Sequence, residues 1–217
     1  MPVIQGELIV EYLTVGPFQT NVYVVGCART REGAIIDAGG DGAGLLALAA
    51  QHELELTKIL QTHAHIDHVA AISEVKAVKD LPVYLHPDEK MLYEGAPQQG
   101  LFFGMQIDPL PAVDAWLEED EVIEIGELRA RVSLAPGHSP GSVIFYFEEQ
   151  ETMISGDVLF AGSIGRVDLP GSDVNAMRAS LEKLKGYPDA TRIYCGHGPD
   201  TSLGNEKQTN PFLTQSW

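Results

Sequence analysis

The chain has 217 residues, 44% of them hydrophobic and 21% charged, with a formal charge of −17 at pH 7. That is enough chain for a sizeable core in an ordinary globular composition, and the acidic excess argues against nucleic acid or anionic lipid as partners, since both would be repelled. No apolar run is long enough to cross a bilayer, and the start Met1-Pro2-Val3-Ile4-Gln5-Gly6-Glu7 lacks the basic and apolar stretches of a signal peptide, so a cytoplasmic protein is expected. Two cysteines, Cys27 and Cys195, are too few for a disulfide scaffold and read as small buried thiols.

In chain order, residues 8–13 and 21–25 are rich in apolar and β-branched side chains, and Gly16-Pro17 between them predicts a hairpin. Ala34-Ile35-Ile36-Asp37 reads as a short buried strand ending at Gly39-Gly40, followed by a helix over 43–52. A strand over 58–62 stops where a histidine cluster begins. Three-to-four-residue apolar spacing then predicts one helix over 69–79, and 82–85 returns as a strand. Residues 95–111, with three prolines and three glycines around Leu101-Phe102-Phe103, read as an irregular loop over the site. Strands are expected over 121–125, 128–134, 142–147, 152–155 and 192–195, and a helix over 174–185. The runs Glu118-Glu119-Asp120-Glu121 and Glu148-Glu149-Gln150-Glu151 read as solvated turns. Short strands beside one another, with helices in both halves, favour two packed sheets with helices outside over an alternating barrel.

Five of the seven histidines, His63, His65, His68, His138 and His197, sit at predicted strand ends beside Gly, Pro or Asp. Such loops are where a rigid scaffold presents functional groups. In His63-x-His65-x-Asp67-His68, His63 and His65 can point to one side while Asp67 and His68 reach a second point nearby. Imidazole and carboxylate are donors suited to zinc, iron or manganese. His138 lies in the turn Pro136-Gly137-His138-Ser139-Pro140-Gly141, Asp157 ends the strand Ser155-Gly156-Asp157, and His197 follows Cys195-Gly196. His52 and His86 have no ligand-type neighbours and read as ordinary. Trp116, Phe102, Phe103 and Tyr146 read as core.

These residues resemble the metallo-β-lactamase superfamily over nearly the whole chain, from Gly16-Pro17-Phe18-Gln19-Thr20-Asn21 to Asn210-Pro211-Phe212-Leu213. Within it they are similar to the short bacterial form of glyoxalase II, hydroxyacylglutathione hydrolase, most specifically in 160–171. The resemblance implies an α/β (α+β) fold, a four-layer αββα sandwich of two mixed sheets flanked by helices, as a single domain over 1–217. It implies two divalent metal ions, zinc first, with iron or manganese accepted by the same donors. His63, His65 and His138 would hold one, Asp67, His68 and His197 the other, and Asp157 would bridge them. Asp67 and Asp157 would be catalytic, and hydroxide shared by the metals would attack a small-molecule acyl-thiol such as S-lactoylglutathione. The partner set implied is that substrate alone, in a monomer or small homo-oligomer.

The long form of glyoxalase II adds a helical domain carrying cationic contacts to glutathione, whereas 20 residues follow His197 here, so no such domain is expected. Arg166 matches a basic position that contacts the thiol carrier, with an ion pair to Asp168 or Asp173 as the alternative. Persulfide dioxygenases share the resemblance, including Gly165-Arg166-x-Asp168, and would use a single iron on His63, His138 and Asp157. A metal-dependent binding module is the non-catalytic alternative, and the complete ligand set argues against it.

Overall fold

The computed structural model describes residues 3–5, 7–215 and 217. Met1, Pro2, Gly6 and Ser216 lie outside the described residues, and with them part of the N-terminal stretch read above for a signal peptide.

Strands β1 (Val3–Gln5), β2 (Leu8–Val15), β3 (Thr20–Cys27) and β4 (Glu32–Ile36) pair antiparallel in chain order, the expected hairpin being β2–β3. Parallel neighbours need a crossover, and helices supply it. Helix α1 (Gly42–Gln51) leads to β5 (Glu55–Leu60), and α2 (Ile66–Val69) with α3 (Ile72–Val78) leads to β6 (Val83–Leu85). Helices α4 (Lys90–Glu94) and α5 (Ala96–Phe102) precede β7 (Ala115–Trp116), which completes a seven-stranded sheet. The second sheet has six strands. Strands β8 (Val122–Ile125), β9 (Leu128–Leu134), β10 (Val143–Phe147) and β11 (Thr152–Gly156) form an antiparallel meander. A small hairpin of β12 (Leu159–Phe160) and β13 (Ser163–Ile164) and then helix α6 (Val174–Leu184) lead to β14 (Arg192–Cys195), parallel to β11. Strand β15 (Thr201–Ser202) and helices α7 (Leu203–Thr209) and α8 (Pro211–Thr214) end the chain.

The strands show why the sheets stack. In β3, Tyr23 and Val25 face the second sheet while Val22 and Val24 face α1 and α3. In β10, Phe145 and Phe147 face the first sheet while Ile144 and Tyr146 face α6. Alternation sends successive side chains to opposite faces, so a strand buried along its whole length must be covered on both. The result is four layers, helix–sheet–sheet–helix, the αββα sandwich expected from the sequence. Each fully buried large side chain such as Phe145 contributes about 1.5–3 kcal/mol.

Three local expectations differ. The helix expected over 69–79 starts earlier and is broken at Ala70–Ala71, because the Ala71 N–H donates to the carbonyl of Ala38, beyond β4, instead of continuing the helical ladder. That contact brings two backbones together, and a Cβ at Gly39 would lie 1.7 Å from the Asp67 carbonyl oxygen, so no larger residue fits there. The loop expected over 95–111 contains helix α5. Pro97 stands in its first turn, where a missing N–H costs nothing. Of the aromatics read as core, Tyr146 is buried, but Trp116, Phe102 and Phe103 are exposed, because β7 is an edge strand and α5 presents its C-terminal end to solvent. Cys27 and Cys195 are free and buried, as read from the sequence. Among the described residues no helix is long and apolar enough to cross a membrane.

Candidate metal centre

The histidine cluster follows β5, His138 follows β9, Asp157 follows β11, and His197 follows β14. Backbone hydrogen bonds stitch these strand ends together. Val143 N donates to Thr62 O across the sheets, Asn21 N to Gly196 O, and Gly196 N to Gly156 O, at 2.7–2.8 Å. Gly196 is required for that closeness, since a Cβ there would lie 2.1 Å from Asp157 Oδ1. The fold thereby brings all seven residues singled out in the sequence to one place, as two groups. Donor atoms of His63, His65 and His138 lie within 4.8 Å of one another, and so do those of Asp67, His68 and His197. Asp157 stands between the groups. Its Oδ1 is 3.4 Å from His68 Nε2, and its Oδ2 is 3.4 Å from His138 Nε2 and 3.3 Å from His197 Nε2.

Outer partners orient four of the five rings, and His65 Nδ1 lies 2.8 Å from His138 Nε2. His68 Nδ1 donates to Asp37 Oδ2 (2.9 Å), His138 Nδ1 to the Arg166 carbonyl (2.8 Å), and His197 Nδ1 to the Phe18 carbonyl (3.1 Å). Thr62 Oγ1 accepts from His63 Nδ1 (3.0 Å) and donates to Asp37 Oδ2 (2.7 Å). Each of these bonds keeps Nδ1 the donor, so that the ring, once neutral, turns its Nε2 lone pair to the site, an arrangement usual around metal-bound histidine. Thr20 Oγ1 similarly donates to Asp67 Oδ2 (2.8 Å). Glu89 is fully buried and accepts Ala64 N and Gly141 N, each at 2.7 Å, so one carboxylate clamps the loop of His63 and His65 to the loop of His138. Burial pushes the Glu89 carboxyl up, against the lowering effect of the Ser139 hydroxyl and those two N–H groups.

The residues fit cations. His63 Nε2, His68 Nε2 and Asp157 Oδ1 are buried with no hydrogen-bond partner, and such orphaned polar atoms require an explanation. Burial, then the charge on His68, holds His63 well below the usual imidazole range, and burial with His138 brings His65 down to about 4. Both are therefore neutral, the ligating form, at pH 7. In the second group protons stand where a cation would. Burial would lower His68, but Asp67, Asp157 and Asp37 raise it well above its ordinary value. Burial would also lower His197, yet its hydrogen bonds to Asp157 and Asp67 raise it to about 10. Against burial, the charge on His68 brings Asp67 down to about 2 and holds Asp157 well below the carboxylate range. Cation binding must displace these protons.

The raised His197 value gives the metal-free protein a pH dependence. Its imidazolium stabilises the fold fully below the unfolded value of 6.5, and that contribution is lost as pH rises towards 10. The thermal midpoint of chelated protein is expected to fall between pH 6.5 and 10, and His197→Ala to flatten the slope. Thermal scans across that range check it, and an equal slope in the variant would refute the assignment.

The two groups open into a cavity of about 800 Å³ whose wall outside them is mostly apolar. Arg166 lines it, but its guanidinium is forked onto Asp168 (2.7 and 2.9 Å), the ion pair that the sequence leaves open as the alternative to a substrate anchor. Its carbonyl, not its side chain, supports the histidines. The sequence reading missed Asp37 and Glu89. Asp37 had a faint signal, a carboxylate ending a buried apolar strand before two glycines. Glu89 had none. His52 pairs with Glu11 and His86 caps the turn over Pro87–Glu89, so both have the ordinary roles expected of them. Burial raises the Cys195 thiol to about 12, and among the described residues Cys195 belongs to none of the clustered donor groups.

Comparison with known proteins places this geometry. The hydroxyacylglutathione hydrolase GloC of Haemophilus influenzae is 34% identical over 94% of this chain and 97% of its own. The crystal structure of TTHA1623 in a di-iron-bound form superposes with a TM-score of 0.85 at 44% identity, covering 94% of this chain and 100% of that one. That of BLEG-1 B3 metallo-beta-lactamase superposes at 0.87 and 38% identity, covering 94% and 99%. The sequence model of the Metallo-beta-lactamase superfamily matches residues 15–197, and this chain, with histidines and aspartates clustered in groups that could hold a metal ion, belongs to that superfamily.

Proposed function

We propose that the chain is a thioester hydrolase using two divalent cations, zinc first, with iron or manganese accepted by the same nitrogen and oxygen donors. One observation supports the reading: the Asp157 carboxylate faces both histidine groups, so one carboxylate could serve both sites. His63, His65 and His138 would hold one cation and Asp67, His68 and His197 the other, with Asp157 available to both. The cations would supply hydroxide at neutral pH and a Lewis acid for the carbonyl.

The chain's own residues orient and tune. Thr20 fixes Asp67 through Oδ2, the oxygen that faces His68 and His197, and the Asp67 carboxylate would orient the attacking water. The water oxygen bonds to the acyl carbon, the carbon–sulfur bond breaks with its electron pair leaving on sulfur, and the water's proton ends on the thiol. The relation to GloC supports an acyl-thiol as substrate, and the di-iron form of TTHA1623 supports a two-cation centre. A small-molecule substrate with no nucleic acid or membrane partner, a cytoplasmic setting, and a monomer or small homo-oligomer complete the proposal.

Chelated protein is expected to be inert towards S-lactoylglutathione and to recover with zinc, iron or manganese, measured by loss of thioester absorbance. Full activity without metal would end the two-cation reading. Oxygen uptake with glutathione persulfide at one iron per chain would replace it with the dioxygenase. Turnover of a chromogenic cephalosporin above that of any thioester would move the substrate to the β-lactams named for BLEG-1.

A further inference from the structure

The wall of the cavity has a chemical character of its own. Phe18, Phe102, Phe103, Phe160, Leu169 and Pro170 all line it. Phe103 packs edge-on against both Phe18 (5.0 Å, 85°) and Phe102 (5.2 Å, 90°), and Phe160 packs edge-on against His197 (5.8 Å, 90°). Aromatic surface therefore runs from the rim to the ligand groups. Yet Phe102 is 84% exposed and Phe103 50%. Helix α5 is not free to fold these rings away. Gln99 Oε1 accepts Ile66 N (3.3 Å), and a Cβ at Gly100 would lie 3.2 Å from Ile66 Cδ1, so α5 is seated on the turn that carries His65 and Asp67. Among the described residues lining the cavity Arg166 is the only permanent cation, and Asp168 already holds it.

We propose that this site selects a neutral thioester with an aromatic or aliphatic flank rather than one on a thiol bearing two carboxylates, such as glutathione. An apolar flank covers the exposed rings and gains their burial and edge-to-face contacts. Carboxylates would meet an acidic protein in which the one guanidinium among the described residues lining the cavity is already paired with Asp168. The turnover part of this inference rests on the hydrolase reading, and the binding part does not.

The test uses metal-loaded protein and one acyl group on two thiols, S-lactoyl benzyl mercaptan and S-lactoylglutathione. The benzyl thioester is expected to be favoured at least about tenfold in kcat/KM, through KM. Phe102→Ala and Phe103→Ala should bring the ratio of the two substrates towards one. Preference for the glutathione thioester, or a ratio that neither substitution moves, overturns the proposal. If neither thioester is hydrolysed, the hydrolase reading fails, and calorimetry decides the selectivity with two non-hydrolysable sulfides, benzyl 2-hydroxypropyl sulfide and S-(2-hydroxypropyl)glutathione. Binding of the benzyl sulfide about tenfold tighter, with a negative heat-capacity change, supports the apolar site. Equal or weaker binding overturns it.

Discussion

Replacing Asp157 with asparagine is expected to lower kcat/KM for thioester hydrolysis by on the order of 10³-fold and to leave fewer than two cations bound per chain. Asparagine has the same shape, so packing against Gly156 and Gly196 is preserved and the change is one of charge. Among the described residues, Asp157 is the one carboxylate that faces His68, His138 and His197 together, at 3.3–3.4 Å. An amide supplies at most one oxygen donor and no negative charge, so it cannot serve both groups at once. The loss of several kcal/mol of charge stabilisation in the transition state corresponds to the rate change given. Metal content by elemental analysis and steady-state kinetics check it. Two cations per chain together with activity within tenfold of the parent would show that Asp157 is not shared.

Asp37→Asn is expected to weaken cation binding at the His68 group by about 10–100-fold and to cost about 1–3 kcal/mol of stability. Asp37 is buried, with Oδ1 accepting Thr62 N (2.7 Å) and Oδ2 accepting Thr62 Oγ1 (2.7 Å) and His68 Nδ1 (2.9 Å). An amide must turn its NH2 towards one of these donors, leaving that donor unpaired. Its backbone lies in the left-handed region (φ 60°), which asparagine tolerates, so strain does not confuse the result. For a chain of this length the stability loss lowers the thermal midpoint by roughly 2–12 °C. Competition with a chromophoric chelator and thermal unfolding check both effects. Unchanged metal affinity would make Asp37 a purely structural residue.

What the sequence by itself determined was local chemistry. Alternation and apolar spacing marked most strands and the larger helices, because burial imposes a period on each element separately. Histidine and aspartate gathered at strand ends marked the seven candidate ligands, because donors must stand on tight turns at the rim of a rigid scaffold. The tertiary structure decided which groups support and surround them. Asp37 reaches His68 across 31 positions, and Glu89 reaches Ala64 across 25 and Gly141 across 52. No local period reports such a pairing: parallel pairing within the first sheet brings Asp37 to His68 and Glu89 to Ala64, and the stacking of the two sheets brings Glu89 to Gly141. The same holds for Arg166, whose guanidinium proved to be held by Asp168 while its carbonyl supports His138. It holds too for Phe102 and Phe103, whose apolar character suggested core until the seating of α5 on the ligand turn left them exposed at the mouth of the cavity. Side-chain type is written in the sequence, but whether an apolar ring is buried or a cation is free depends on what the folded chain places beside it.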